Sequence, residues 1–155
     1  MAYLIKDDYK YMIRTYRLDQ ILEAEDEDED AILDSAEEEA LGMIDKFLGN
    51  KYDMVLEFGK TGASRNKVLI RWAKVLVLYY IYERVPDDMV PERVVKNYDE
   101  VMEMLEKVED GDAGIPGLPA KTEEVDGQTQ PVTTRRWGSQ KKRTHDGGSP
   151  ADLCR

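Results

Sequence analysis

Gly59-Lys60-Thr61-Gly62 carries the lysine and the hydroxyl with which a phosphate-binding loop closes on a nucleotide. The full motif needs a glycine five residues before Gly59, so that backbone amides can curl around the phosphates. Met54 stands there, and no hydrophobic strand leads in, so an exposed turn accounts for the segment. A second spacing is that of a calcium loop, with Asp26, Asp28, Asp30 and Glu37 in its first, third, fifth and twelfth positions. The sixth position demands a glycine for its sharp turn and holds Ala31, and the residues from Ile32 onward belong to a helical stripe that the loop would melt. A solvated acidic loop, without metal, is the expectation. Nucleophilic chemistry has only His145 and Cys154 to draw on, the single histidine and the single thiol, in a part of the chain where nothing preorganises them. Carboxylates are abundant, but none falls at an apolar position of a helical stripe, where burial would tune its proton affinity. The chain therefore reads as a protein that is not an enzyme and takes no cofactor.

Three groups of residues remain as candidates for binding rather than catalysis. Arg135, Arg136, Trp137, Lys141, Lys142 and Arg143 form a short basic segment around a tryptophan, the kind of side chain that anchors interfaces. Such a segment docks on a partner and orders as it does so. Trp72, Tyr79 and Tyr82 recur at helical spacing, which fits a core or a contact between subunits better than a platform for bases. Finally, Glu23-Ala24-Glu25-Asp26-Glu27-Asp28-Glu29-Asp30 places seven acids in eight residues. Like charges at that density stay solvated, and acids there suit the positive end of a following helix.

The elements that position these groups are helices. The first starts at Asp7 or Asp8 and runs through Tyr9, Met12 and Ile13, and Arg17 to Leu22 reads as a second short helical turn. Leu33, Ala36, Ala40, Ile44 and Phe47 recur at three- and four-residue steps, which predicts a helix from about Asp30 to Leu48, stopped by Gly49-Asn50. Tyr52 to Gly62 reads as a loop, with an extended piece at Met54-Val55-Leu56. Ser64 caps the longest predicted helix, about Ser64 to Val85, which is apolar nearly all round and ends before Pro86. A helix of that kind is central, and its surplus of apolar surface suggests burial against neighbouring subunits. Pro91 opens the last helix, in which Val94, Tyr98, Val101, Leu105 and Val108 form one stripe, and Gly111 stops it. The fold class is all-α, a small bundle of about four helices around a long apolar one.

From Gly111 onward the chain holds seven of its eleven glycines and four of its six prolines, so no further segment is expected to fold alone. This divides the chain into a helical domain, residues 1–112, and an extended, mostly irregular tail, residues 113–155, and predicts that a cut after Asp112 leaves the domain's stability nearly unchanged. Charge divides in the same way. Residues 1–112 carry 15 Lys and Arg against 28 Asp and Glu, a net −13, and the remainder is +2. A body so acidic repels nucleic acid and anionic membrane at long range. The first residues lack the basic and apolar stretches of a signal peptide, and Trp72 to Tyr82 is too short to span a bilayer. With one cysteine, a reducing compartment is the default.

Three passages resemble the head–tail connector (head completion) proteins of Mu-like tailed bacteriophages and prophages. Leu41-Gly42-Met43-Ile44-Asp45-Lys46-Phe47-Leu48-Gly49-Asn50-Lys51-Tyr52 is similar to that family's second helix, which passes through an Ile-Asp pair and ends at a Tyr. Trp72 to Arg84 resembles its long apolar helix, ending in an aromatic–basic segment. Val90-Pro91-Glu92-Arg93-Val94-Val95-Lys96-Asn97-Tyr98, followed by Met104-Leu105, Gly111 and Leu118-Pro119, resembles the closing helix and its exit. The resemblance spans about Met1 to Pro119. The acidic run is longer than the family pattern, and the loop after Tyr52 lacks the proline often found there.

The resemblance implies a virion protein made in the host bacterial cytoplasm and placed in the neck between capsid and tail. It implies a ring of identical copies, expected as a dodecamer, that joins the portal protein to a tail or neck protein. Packaged DNA passes through such a ring without specific binding, and no membrane is involved. An acidic body suits a channel that DNA must slide through, because like charge prevents lasting phosphate contacts. Glu25, Asp26, Glu27, Asp28, Glu29 and Asp30 are the candidate channel-facing acids, with the outer surface as the competing position. The alternative reading is a soluble acidic helical adaptor or DNA mimic that occupies a basic site on a host protein. The apolar helix separates the two, since a monomeric mimic covers it internally whereas a ring component leaves Tyr79 or Tyr82 at a subunit contact.

Overall fold

A computed structural model of the chain describes residues 3–22, 29–86, 89–125 and 128–131. Its body is helical, with α1 (Lys6–Tyr9), α2 (Thr15–Leu22), α3 (Glu29–Leu48), α4 (Met54–Phe58), α5 (Lys67–Tyr82) and α6 (Glu92–Asp110). The three long helices α3, α5 and α6 pack against one another, and α1 and α2 cover the remaining side of α5. Ala40, Ile44 and Leu48 of α3 meet Leu69, Ala73, Leu76 and Val77 of α5 and Leu105 and Val108 of α6 in one continuous core. Nine of the sixteen residues of α5 are buried. Its apolar surplus is thus largely taken up within one chain, because the helix is packed on three sides.

α5 is shorter than its hydrophobic pattern. Arg65 is extended (φ −66°, ψ 145°), and the helix is capped by Asn66, not Ser64. The Asn66 Oδ1 accepts from the amides of Val68 at 2.9 Å and Leu69 at 3.4 Å, while its Nδ2 donates to the Pro116 carbonyl at 2.9 Å. At the other end the chain turns at Glu83 and Arg84, three residues ahead of Pro86. The segment expected as a loop with an extended piece, from Tyr52 on, contains the helix α4. Asp53 caps it by accepting from Leu56 N at 2.9 Å, and Gly59 closes it. One turn of helix has no periodicity to read, but the cap and the stop were both present in the sequence. α1 is likewise a single turn, and the chain from Lys10 to Arg14 runs in turns where the helix was expected to continue.

α6 matches its predicted stripe. Val94, Val101, Leu105 and Val108 are buried, and Tyr98 stacks on Tyr79 with ring centroids 3.9 Å apart. Gly111 ends it in the left-handed region (φ 86°), with its amide on the Val108 carbonyl and that of Asp112 on Lys107. A side chain there would be strained, which is why glycine is the residue that stops this helix.

The chain after Asp112 is bound to the body. Ile115 is buried, and its amide donates to the Tyr52 hydroxyl at 3.1 Å. Asp53 N reaches the Pro119 carbonyl at 2.9 Å, and Lys121 N reaches the Lys51 carbonyl at 3.0 Å. The body therefore extends to Lys121, past the boundary expected at Asp112. Beyond it lies a two-stranded antiparallel hairpin, β1 (Thr122–Val125) and β2 (Gln128–Pro131), in a stretch expected to be irregular.

Removing Ile115 and its neighbours by a cut after Asp112 is expected to lower stability by about 2 kcal/mol, the burial energy of one such side chain. Urea unfolding of the cut chain beside one ending at Pro131 measures this. Leu76→Ala, in the centre of the core, is expected to cost about 2–5 kcal/mol in the same measurement.

Candidate interaction surfaces

The structure places the sequence-predicted residues in three different ways. The basic segment Arg135, Arg136, Trp137, Lys141, Lys142 and Arg143 lies outside the described residues, as do Glu25, Asp26, Glu27 and Asp28. Glu29 and Asp30 open α3, where their charges suit the helix N-terminus, and the Asp30 carboxylate pairs with the Lys6 ammonium at 2.6 Å. Tyr82 is buried within its own chain, whereas Trp72 and Tyr79 keep part of their surface. Tyr79, Tyr80 and Tyr98 form a cluster in which each ring contacts the other two. Burial, with the neighbouring Tyr98, pushes the Tyr80 phenol up to about 12.

The other motifs resolve into structural roles. Gly59 to Gly62 is a turn into the short 3-10 segment Gly62–Ser64, and the Lys60 ammonium is held by the Glu57 carboxylate. Of the calcium-loop positions, Asp30 faces Lys6, while Glu37 accepts from the backbone amides of Tyr3 and Leu4. Glu37 is buried on the inner side of α3, among residues of the core.

Two carboxylates, contrary to the sequence expectation, are therefore buried. Glu57, fully buried, accepts from the Tyr3 hydroxyl at 3.1 Å, from Asn66 N at 2.7 Å and from Lys60. Beside it the Arg65 guanidinium donates to the Tyr3 carbonyl at 2.6 Å, to the Gly62 carbonyl at 3.0 Å and to Asp8 at 2.8 Å. Burial raises the proton affinity of Asp8, but the hydrogen bonds from Arg65 and from Ile5 N outweigh it and hold its carboxyl below the ordinary range. Glu37 shifts the other way. Burial pushes it up, and the two amides it accepts from offset only part of that. Glu57 sits on a one-turn helix and Glu37 on an acid-rich one, so neither stands out in the sequence. The only available signal was Glu37 falling between the apolar positions Leu33, Ala36 and Ala40.

A surface site emerges from the arrangement of cations. Between the turn after α1, the start of α2, α5 and α6 runs a groove formed by two overlapping cavities of 400 and 510 Å³. Lys10, Arg14, Arg17, Arg71, Lys74 and Arg93 line it, and no acid does among the described residues, although Lys10 pairs with Asp7 at 2.7 Å. Met12, Val75, Leu78 and Val94 provide an apolar floor, and Tyr11, 87% exposed, stands at the rim. Lys74 and Arg93 donate to the carbonyls of Asp8 and Met12, while Arg14, Arg17 and Arg71 make no ion pair among the described residues. These six cations come from three stretches far apart in sequence, residues 10–17, 71–74 and 93, so no local pattern announces them. Among the described residues, no group of three or more His, Cys, Asp or Glu could hold a metal, and no helix is long and apolar enough to cross a membrane.

The family described as Bacteriophage Mu, Gp36 matches the chain over residues 3–134. The chain belongs to that family. It is thus a Mu-like phage protein, as the three resembling passages implied. No curated protein matches it. The Gp36 match includes the whole helical body, the groove and the hairpin, and it ends just before Arg135, so the basic segment around Trp137 falls outside it.

The buried charges of this Gp36-family chain yield two expected outcomes. Arg65→Ala leaves Asp8 and two carbonyls without their donor and is expected to cost about 3 kcal/mol at neutral pH. Because the folded-state value of Asp8 is depressed, its contribution is present above the ordinary 3.8 and is lost as pH falls below it. Glu37, raised in the folded state, binds its proton more tightly there. The wild-type chain should gain stability over Glu37→Gln as the pH falls from neutral toward the ordinary 4.5. Urea unfolding across a pH series reads both, and parallel curves for wild type and Glu37→Gln would contradict the second.

Proposed function

We propose that the chain is a head–tail connector of a Mu-like phage, a ring component in the neck that joins the portal to the tail and extends the DNA channel. The observation that carries this reading is family membership across residues 3–134, which takes in every helix of the body. The charge distribution supports it. A body of net −13 through Asp112 has acids well in excess of its cations, so a passing duplex meets repulsion rather than lasting phosphate contacts. A non-enzymatic role is part of the proposal. The two buried carboxylates that burial could tune for catalysis are engaged, Glu57 by three donors and Glu37 by two amides.

The acidic adaptor or DNA mimic has one observation in its favour. α5 is covered within a single chain, with Tyr82 buried, as expected of a protein that works as a monomer. The partial exposure of Trp72 and Tyr79 leaves room for a neighbour at one edge of that helix.

An early nonsense codon in this gene, in its phage or prophage, separates the two readings. The connector predicts a lysate of unjoined heads and tails by negative-stain electron microscopy, with heads that leak or fail to retain DNA. Intact, infectious virions would remove the connector reading and leave the adaptor. Trp137→Ala is expected to weaken assembly onto the partner without changing the melting of the body, and unchanged assembly would reduce the basic segment to a spacer.

A further inference from the structure

We propose that the basic groove receives the acidic N-terminal half of α3 from a second copy of the chain, making a head-to-tail contact between copies. The inference deepens the connector reading and rests on it, since a neck ring needs one contact repeated around a circle. Within each chain the two surfaces lie apart. Asp30 is fixed beside Lys6, the first residue of α1, in a shallow cavity lined also by Asp34 and Glu37. The groove opens beyond the end of α1, from Lys10 to Arg17, against α5 and α6, and no residue lines both.

The chemistry of the two surfaces is complementary. Asp30, Asp34 and Glu38 are exposed and follow one another at four-residue steps, so they form one ridge of α3 about 12 Å long. Asp34 and Glu38 make no ion pair among the described residues. Facing such a ridge, the groove supplies six cations, of which Lys10 is paired with Asp7 and the other five have no ion pair among the described residues, together with an apolar floor and an exposed tyrosine. Arginine and tyrosine around an apolar centre are the residues enriched at protein interfaces. In a body of net −13, five clustered cations without an ion pair among the described residues point to an acidic occupant. A DNA duplex is disfavoured as that occupant, because the acidic remainder of the body repels it at long range. Two different surfaces that complement each other on one chain generate a ring when the rotation between copies closes, and a filament when it does not.

The test is sedimentation velocity of the full-length chain at low and high salt, with two charge-reversed variants, R71E/R93E in the groove and D34K/E38K on the ridge. All four side chains are exposed, and circular dichroism melting establishes that each variant is folded. Wild type is expected to self-associate, less so at high salt, and each variant alone to associate about tenfold more weakly or worse. An equimolar mixture of the two variants is expected to recover association, because each then meets the opposite charge on the other. A wild type that is monomeric at both salts, variants that associate like wild type, or a mixture that does not recover would each overturn the proposal. So would an R71E/R93E variant whose only loss is binding to a DNA oligonucleotide, which would assign the groove to nucleic acid. Any of these results together with unjoined heads and tails in the nonsense-mutant lysate would remove this contact and keep the connector.

Discussion

Burying a charge is tolerable only when every donor and acceptor around it is met. The N-terminal part of this body is organised by that constraint. Arg65 and Glu57 are both buried, and between them they engage Tyr3, Asp8, Lys60, Gly62 and Asn66. These residues belong to the N-terminal segment, α1, the end of α4 and the cap of α5. None of those pieces is stable alone, since α1 and α4 are single turns, yet the pairing requires all of them at once. The same cluster sets where α5 begins. Arg65 must be extended to reach both Tyr3 and Asp8, so the helix starts at Lys67 with Asn66 as its cap.

From that cap the order spreads to the far end of the chain. Asn66 also holds the Pro116 carbonyl, and Tyr52 holds the amide of Ile115. The exit of α6 is thereby fastened to the turn between α3 and α4 and to the start of α5. The three long helices are thus clamped at one end by polar contacts and filled along their length by Leu, Ile, Val and Ala. A body tied together in this way suits the proposed connector role, in which copies would keep their shape while DNA passes. Its surface charge is as uneven as its interior is uniform, with an acidic ridge on α3 and a basic groove across α5 and α6.

Much of the helical frame was legible. α3 and α6 follow their apolar stripes to within a residue or two, because a helix with one buried face must repeat at three- and four-residue steps. α5 was visible as a central helix for the opposite reason, its lack of a polar face, although its ends were misjudged. α4 escaped because five residues are little more than one helical turn, too few for a stripe to repeat, and the four-residue strands have no apolar–polar alternation to read. The domain boundary was misplaced at Asp112 because glycine and proline mark where regular structure stops, not where contact with the body stops.

The sequence by itself determined the all-α class, the faces of the long helices, the acidity of the body and the resemblance to a phage family. Each of these follows from composition or from neighbours a few residues apart. Tertiary structure alone decided which charges are buried and which cations share a groove. Lys10, Arg71 and Arg93 lie more than 80 residues apart at their extremes and meet only because α5 and α6 pack beside the turn after α1. Glu57 looks like any surface acid until Tyr3 and Asn66 arrive beside it from distant positions. Charge is additive along a chain, but its solvation and its partners are set by what folding brings near.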